Sequence, residues 1–185
     1  MVNKHFGIIG HSFVARIDDD TLRKEFDGVK LKVVGVRSAT SSSLLYEEDF
    51  YSLLRHRSIS RVFVQLGGND ISRGSSPETI VRNINAVVVE LKSMKSMQRI
   101  IIGSVFQRFK PRRMTADAYE KQRVVINQKL NEMYEDDPMV TFWFLRGLVN
   151  VKEELFHKDG VHLNPTTQKR YTRQIRLALF CQHPK

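Results

Sequence analysis

Five short apolar runs alternate with longer segments of helical periodicity, and this alternation constrains the fold more than any other feature of the chain. Each run has the length and apolar character of a buried strand. The runs span residues 5–10, 29–36, 61–66, 99–106 and 140–145. Because strands that alternate with helices form parallel sheets with helices on both faces, we predict an α/β fold, a three-layer α/β/α sandwich of five strands.

The helical segments indicate which side chains face the sheet. The clearest segment covers residues 77–94, where apolar residues recur at every third or fourth position. A second covers residues 116–135, the last begins at Asn164, and weaker helices are predicted over residues 13–26 and 44–56. In the second segment, the side chains expected to face inward are those of Tyr119, Ile126, Leu130 and Met133.

Parallel sheets of this kind bind ligands at the carboxyl ends of their strands, so the residues after each strand are candidates for chemistry. Ser12 follows the first strand at the start of a helix, where the positive end of the helix dipole suits a nucleophile whose oxyanion forms beside it. A serine there also serves as a helix N-cap, and Ser12 alone does not decide between these roles. The second strand leads into residues 35–40, whose small members allow close approach of a ligand to the backbone.

Two further loops carry polar groups. The third strand ends at Gly67-Gly68-Asn69-Asp70, a turn that could direct the Asn69 amide toward an oxyanion or could be selected for its backbone tolerance alone. Asp159 and His162 lie between the fifth strand and the last helix, at a spacing that lets the carboxylate orient the imidazole. One edge of the sheet thus offers a nucleophile, an oxyanion donor, an orienting acid and a general base.

The order and spacing of these residues resemble the SGNH, or GDSL-like, hydrolase superfamily. Gly10-His11-Ser12 stands where the first block of that superfamily reads Gly-Asp-Ser. Residues 67–70 match its third block, Gly-x-Asn-Asp, and residues 159–162 match its fifth block, Asp-x-x-His. The resemblance spans residues 5–180 and implies a flavodoxin-like five-stranded parallel sheet.

The resemblance also implies an activity, that of a serine esterase with the catalytic triad Ser12, His162 and Asp159. The oxyanion hole would consist of the backbone N–H groups of Ser12 and Ser38 and the side chain of Asn69, and neither a metal nor a cofactor is required. His11 and Ser38 depart from the family pattern, in which Asp and Gly are usual. We expect His11 either to hydrogen-bond in its neutral form or to mark weaker catalysis.

The charge of the chain favours anionic partners. The formal net charge is +10 and the pI is about 9.9, which suits nucleic acid, an anionic membrane surface or an acidic substrate; the alternative is a soluble protein that is basic without such a partner. Within the superfamily, residues 10–14 and 66–70 resemble the esterase domains encoded in the first open reading frame of LINE-type retrotransposons, proteins that are associated with RNA.

A basic cluster follows the fourth strand. We expect a flexible rim there that attracts phosphate or another anion, with Phe109 free to stack on a base; the alternative is an ordinary solvated loop. The candidate anion or nucleic-acid contacts are Arg108, Lys110, Arg112 and Arg113. A second cluster has the spacing of a solvated helix face and comprises Lys169, Arg170, Arg173 and Arg176.

The remaining features predict a cytoplasmic, single-domain protein over residues 1–185. Cys181 is the only cysteine, no apolar run approaches the roughly 20 residues of a membrane span, and the N-terminus lacks the pattern of a signal peptide.

Three hypotheses for function remain. The first is a serine esterase that hydrolyses small acyl esters, with acetyl or other short chains. The alternative is a weakly catalytic or non-catalytic domain that binds nucleic acid, RNA above all, through its basic surface. Docking to an anionic membrane is a third, for which no strongly amphipathic basic helix is evident. The sequence does not determine the oligomeric state.

Overall fold

The computed structural model describes residues 5–148 and 152–181 and places five parallel strands in one sheet, in the order β2-β1-β3-β4-β5. The strands are β1 (His5–Gly10), β2 (Lys30–Gly35), β3 (Arg61–Gln65), β4 (Arg99–Gly103) and β5 (Val140–Trp143). This order is that of a flavodoxin-like, doubly wound sheet, so the predicted fold class is confirmed. That residues 1–185 form a single domain stays a prediction.

Helices cover both faces of the sheet. One layer contains α3 (Ser41–Leu45), α4 (Glu48–His56), α6 (Pro77–Lys92) and α7 (Ala116–Met133). The opposite layer contains α1 (Ser12–Ala15), α2 (Asp19–Glu25) and α8 (Pro165–Phe180). The short helix α5 (Gly68–Ser72) follows β3, and a 3₁₀ turn at Glu153–Leu155 lies between β5 and α8.

Consecutive residues of a strand pack into different cores, which explains why the strands read as continuous apolar runs in the sequence. Ile8 of β1 and Phe63 of β3 belong to the core beneath α1 and α8. Ile9 and Val64, one position further along the same strands, belong to the core beneath α6 and α7. All four side chains are fully buried.

The two weaker helices are each divided. Residues 13–26 form α1 and α2, because the Asp18 side chain accepts a hydrogen bond from the Thr21 N–H at 2.8 Å and so begins a new helix. Residues 44–56 form α4 and the end of α3, which begins earlier than predicted because Thr40 and Ser43 form a reciprocal capping box.

Two other expectations are corrected. β4 ends at Gly103 rather than Phe106: the Ser104 N–H still donates to the Trp143 carbonyl of β5 at 3.0 Å, but the Val105 N–H donates to Asn127 Oδ1 of α7 at 2.8 Å. Met133 does not face inward: it is the last residue of α7 and its side chain is exposed, while the other three predicted positions of that helix are buried.

Ser38, in the loop after β2, adopts a left-handed backbone conformation with φ of 63°. Such values are unfavourable for a residue with a Cβ and suit glycine. Neighbouring groups hold the loop in place: the Arg73 guanidinium donates to the Ser38 carbonyl at 2.9 Å, and the Asn69 Nδ2 donates to the Ala39 carbonyl at 2.8 Å. The fold thus imposes a glycine-like conformation on a serine.

We expect Ser38→Gly to keep or raise the free energy of unfolding by up to about 1 kcal/mol, since relief of strain exceeds the added chain entropy. Ser58, with φ of 50°, lies before β3 and provides a matched site at which Ser58→Gly should behave alike. Ser42→Gly, inside α3, should instead lower stability by about 0.5–1 kcal/mol. Urea unfolding measures all three, and a loss at position 38 equal to that at position 42 would contradict the prediction.

Candidate active site

Ser12, His162 and Asp159 form a continuous chain of hydrogen bonds at the carboxyl edge of the sheet. Ser12 is the first residue of α1, two positions after the last residue of β1, and His162 lies in the loop before α8. The distance between Ser12 Oγ and His162 Nε2 is 3.0 Å, and that between His162 Nδ1 and Asp159 Oδ2 is 2.7 Å. This arrangement allows Nδ1–H to donate to the carboxylate while Nε2 accepts the proton of the serine hydroxyl.

The Asp159 carboxylate is fixed by its own loop. Its Oδ1 atom accepts hydrogen bonds from the backbone N–H groups of Val161 and His162, each at 2.9 Å. Burial acts to raise the pKa of Asp159, but the hydrogen bonds from the His162 ring and the two N–H groups outweigh it and hold the pKa below its usual range. The carboxylate is therefore charged at neutral pH.

The pKa of His162 is lowered from its ordinary value. Burial is the largest cause, because it disfavours the imidazolium, and the positive charges of Arg16 and Arg108 act in the same direction. The hydrogen bond and charge of Asp159 oppose these effects without reversing them. The ring is consequently neutral at physiological pH, which is the state that can accept a proton.

The orientation of the Asn69 side chain follows from its partners. Arg108 can only donate, so the oxygen that it contacts at 2.9 Å must be Asn69 Oδ1. The Ala39 carbonyl can only accept, so the atom that it contacts at 2.8 Å must be Asn69 Nδ2. The second Nδ2–H has no acceptor within residues 5–148 and 152–181, and Asn69 lines the same cleft as Ser12.

Two backbone N–H groups are also available. The N–H groups of Ser12 and Ser38 donate to no other residue in the part of the chain that the structure describes. Asp70 holds the loop of Ser38, because its buried carboxylate accepts hydrogen bonds from the Ser41 N–H at 2.9 Å and from Ser41 Oγ at 2.5 Å. Burial raises the pKa of Asp70, and these hydrogen bonds only partly offset that effect.

The two glycines before Asn69, Gly67 and Gly68, are each required for a different steric reason. Gly67 has φ of 98°, and a Cβ there would lie 2.8 Å from a methyl group of Val105. A Cβ at Gly68 would lie 2.9 Å from the guanidinium of Arg108 and 3.1 Å from the hydroxyl of Tyr119. The second glycine therefore makes room for the arginine that orients Asn69.

His11 is buried and stays neutral. Its Nδ1 atom accepts a hydrogen bond from the Phe13 N–H at 3.4 Å and so caps α1. Burial lowers the pKa of His11 well below its ordinary value, and the charges of Arg108 and His162 add to this effect. Of the two expectations for His11, the structure supports hydrogen bonding in the neutral form.

The basic loop after β4 is not the flexible rim that the sequence predicted. Arg108 is only 4% exposed: its guanidinium donates to Asn69 Oδ1 and, at 2.8 Å, to Ser72 Oγ. Phe109 is not free to stack on a base, because its ring packs on Phe156 with centroids 5.2 Å apart. The Phe109 N–H also donates to the Gly160 carbonyl at 2.8 Å, so this loop is joined to the loop of Asp159.

The other three predicted anion contacts reach solvent. Lys110 pairs with Glu153 at 3.2 Å, whereas Arg112 and Arg113 are exposed and line the cleft. Three further cations line the same cleft from other parts of the chain and were not among the predicted anion contacts: Arg16, Arg37 and Arg73. No local pattern marks these residues, since only the tertiary arrangement brings their loops together.

The cleft has a volume of about 470 Å³, and it contains all the predicted site residues, Ser12, Ser38, Asn69, Asp159 and His162 among them. A larger hollow of about 1200 Å³ lies along β5 and the end of α8, away from these residues.

Within residues 5–148 and 152–181, no three His, Cys, Asp or Glu side chains are grouped so that they could hold a metal ion. No described helix is long and apolar enough to span a membrane.

Solved structures of several other proteins share the fold of this chain. A search of curated protein sequences found no match to the chain. A GDSL-like lipase from Bacteroides thetaiotaomicron has a similar structure, with 20% identity, a TM-score of 0.76 and coverage of 96% of this chain and 88% of that one. A member of the lipolytic G-D-S-L family from Veillonella parvula has 13% identity and a TM-score of 0.75, with coverage of 97% and 100%.

A more distant likeness is a carbohydrate esterase family 3 protein from Talaromyces cellulolyticus, with 12% identity, a TM-score of 0.69 and coverage of 94% of both chains. At such identities these likenesses show the fold alone. The family assignment comes from the sequence model of the GDSL-like lipase/acylhydrolase family, which matches residues 11–170. Since that match spans most of the chain, this protein belongs to the GDSL-like lipase/acylhydrolase family of carboxylic ester hydrolases.

Proposed function

We propose that the protein hydrolyses short-chain acyl esters, with Ser12 as the nucleophile, His162 as the general base and acid, and Asp159 as the residue that orients the ring. The observation that carries this proposal is the pair of hydrogen bonds of 3.0 Å and 2.7 Å that links the three side chains. Membership of an acylhydrolase family supports the same chemistry.

The reaction would proceed in two stages. Ser12 Oγ attacks the ester carbonyl while His162 Nε2 takes its proton, and the tetrahedral intermediate collapses as His162 returns that proton to the leaving alcohol. Water then attacks the acyl-enzyme with His162 again as the base, which releases the carboxylic acid and restores Ser12.

The oxyanion of the intermediate would be held by the backbone N–H groups of Ser12 and Ser38 and by Asn69 Nδ2. All three belong to residues that line one cleft, and each has an N–H without an acceptor among the described residues. Such donors stabilise charge that develops in the transition state more than they stabilise the substrate.

A short acyl chain fits the lining of the cleft. Val161 is the only aliphatic side chain among the described residues that line it. A long acyl chain would therefore find little apolar surface to cover it, and binding of a fatty acyl group would gain little from burial.

Ser12→Ala should abolish hydrolysis of 4-nitrophenyl acetate, and an organophosphate should label Ser12 in the wild-type protein, because only an activated serine reacts. Mass spectrometry of peptides locates the adduct. Ser72→Ala, at another serine of the cleft, is the matched control and should still be labelled at Ser12. An adduct elsewhere, or no adduct on a folded protein, would contradict the assignment.

Asn69→Ala should lower kcat for the same ester by about 100- to 1000-fold with little change in KM, since the donor acts mainly on the transition state. Asn131→Ala removes an exposed amide from α7 and should leave both constants unchanged. Thermal unfolding verifies that both variants are folded. An increase in KM alone would make Asn69 a residue that binds substrate rather than the oxyanion.

The rate constant kcat/KM for an uncharged ester should rise with pH through the pKa of His162, because only the neutral ring accepts the serine proton. Since burial and nearby cations lower that pKa, the midpoint should lie below 6.5. Arg16→Gln removes one of the cations and should move the midpoint upward, whereas Arg57→Gln, before β3 at the opposite edge, should not. A midpoint above 6.5 in the wild type would refute this.

Nucleic-acid binding is a second candidate function, and the exposed Arg112 and Arg113 on the rim of the cleft favour it. The relatives named above are bacterial and fungal, and none supports the resemblance to retrotransposon domains, so this candidate depends on charge alone. Arg108 is no longer a candidate for direct contact with nucleic acid because it is buried.

A cytoplasmic location of the protein stays a prediction.

If this candidate is right, an RNA oligonucleotide should bind more weakly as salt rises from about 50 to 200 mM, with little dependence on its sequence. Lys110→Glu/Arg112→Glu should reduce the slope of log K against log salt by about 0.7 for each phosphate that the protein no longer neutralises. Arg57→Glu/Lys95→Glu changes the net charge equally at the opposite edge and should leave the slope unchanged. Absence of binding at low salt, measured by fluorescence anisotropy, would exclude the candidate.

A further inference from the structure

Positive side chains surround the cleft that contains Ser12 and His162. They come from separate stretches of the chain: the end of α1, the loop after β2, the end of α5 and the loop after β4. Asp159 is the only acid among the described lining residues, and its oxygens are engaged by His162 and by backbone N–H groups. The cations are Arg16, Arg37, Arg73, Arg108, Lys110, Arg112 and Arg113.

Most of this charge is not neutralised by the protein itself. Arg16, Arg37, Arg112 and Arg113 are exposed, and none of them forms an ion pair or a side-chain hydrogen bond with another described residue. Lys110 alone among the seven cations has an acid partner, Glu153, among the described residues. A concave surface with uncompensated charge of one sign concentrates ligands of the opposite sign.

The chemistry of the cations indicates the kind of anion. Six of the seven are arginines, whose planar guanidinium groups donate paired hydrogen bonds to carboxylate or phosphate oxygens. Ligand sites are usually lined by apolar side chains, whereas this one has Val161 as its only described aliphatic residue. Charge, rather than apolar contact, is therefore the main source of binding energy that this cleft offers.

The position of the cations relative to Ser12 indicates that the anion and the ester belong to one molecule. Arg37 directly precedes Ser38, and Arg112 and Arg113 lie in the loop whose residues Phe109 and Lys110 donate to the Gly160 carbonyl beside Asp159. A small molecule in the cleft would therefore reach these guanidinium groups while its ester carbonyl lies at Ser12.

We propose that the substrate is a short-chain acyl ester of an anionic alcohol, whose phosphate or carboxylate group binds Arg37, Arg112 and Arg113 beside Ser12. This inference rests on the proposed esterase function and names its substrate class. Hydrolysis adds one water across the ester bond: the acyl group leaves as a short carboxylic acid, and the alcohol oxygen takes a proton from His162 and leaves with its anionic group intact.

The test compares four acetyl esters built on the same phenol: phenyl acetate, 3-acetoxybenzoate, 3-acetoxyphenyl phosphate and 3-acetoxyphenyl-trimethylammonium. Each kcat/KM is divided by the rate constant for the reaction of that ester with imidazole, an uncharged nucleophile, which corrects for differences in leaving group without adding an effect of charge. The anionic esters should exceed the neutral one by at least about tenfold at low salt, and the cationic ester should be the poorest. The preference should shrink as sodium chloride is added, because salt screens the attraction. Comparison of 3-acetoxybenzoate with 3-acetoxyphenyl phosphate shows whether the cleft prefers a carboxylate or a phosphate.

Two double variants locate the preference. Arg37→Gln/Arg112→Gln should lower the ratio of anionic to neutral kcat/KM by about tenfold, mainly through KM of the anionic ester. Arg57→Gln/Lys95→Gln removes the same net charge from exposed positions at the opposite edge of the sheet and should preserve the ratio. Thermal unfolding confirms that both variants are folded.

The outcomes separate this inference from the proposed function. Equal normalised rates for neutral and anionic esters, with activity still lost in Ser12→Ala, would overturn the substrate class and leave the esterase proposal standing. Inactivity of the folded wild type toward all four esters, with no organophosphate adduct on Ser12, would overturn the esterase proposal itself. An anion preference that persists in Arg37→Gln/Arg112→Gln would overturn the assignment of these arginines.

Discussion

The active site at the carboxyl edge of the sheet is arranged around one buried group, the guanidinium of Arg108. It has no salt-bridge partner among the described residues, and its contacts are neutral: the Asn69 amide, Ser72 Oγ and the ring of Tyr119, whose centroid lies 5.6 Å away. A buried cation without an acid destabilises a fold, and ionisable groups in such costly surroundings are concentrated at functional sites. Its positive charge lies beside the amide that we propose binds the oxyanion, where it would favour negative charge in the transition state.

The residues around Arg108 are compatible with that charge. His11 is neutral beside it, so a second buried cation is avoided, and Gly68 has no side chain where the guanidinium lies. Asn69 bonds to Ala39 in the loop after β2 and Asp70 bonds to Ser41 where that loop ends, so the two hold Ser38 in its left-handed conformation. One short turn therefore positions two of the proposed oxyanion donors, its own amide and the Ser38 N–H.

The fold was largely predictable because its signals are local. Each strand is apolar on both faces, as burial between two helical layers requires, and α7 buries three of the four side chains that its apolar stripe predicted to face inward. Predictions failed where a single polar contact decides the local structure. Asp18 begins a new helix inside a segment that was predicted as one, and Asn127 takes the Val105 N–H away from the sheet.

The sequence by itself determined the kinds of chemical group at the site and the edge on which they lie, because parallel strands bring their carboxyl ends together whatever the loops contain. It could not determine that Arg108 is buried while Arg112 and Arg113 are exposed. The three arginines carry the same charge in one short loop, and their spacing does not indicate which of them is buried. Nor could it show that Arg16 and Arg37, distant in sequence from these residues, line the same cleft. Only the tertiary structure decided which positive charges are buried to orient Asn69 and which remain free to meet an anion, because burial depends on contacts between loops that no local pattern encodes.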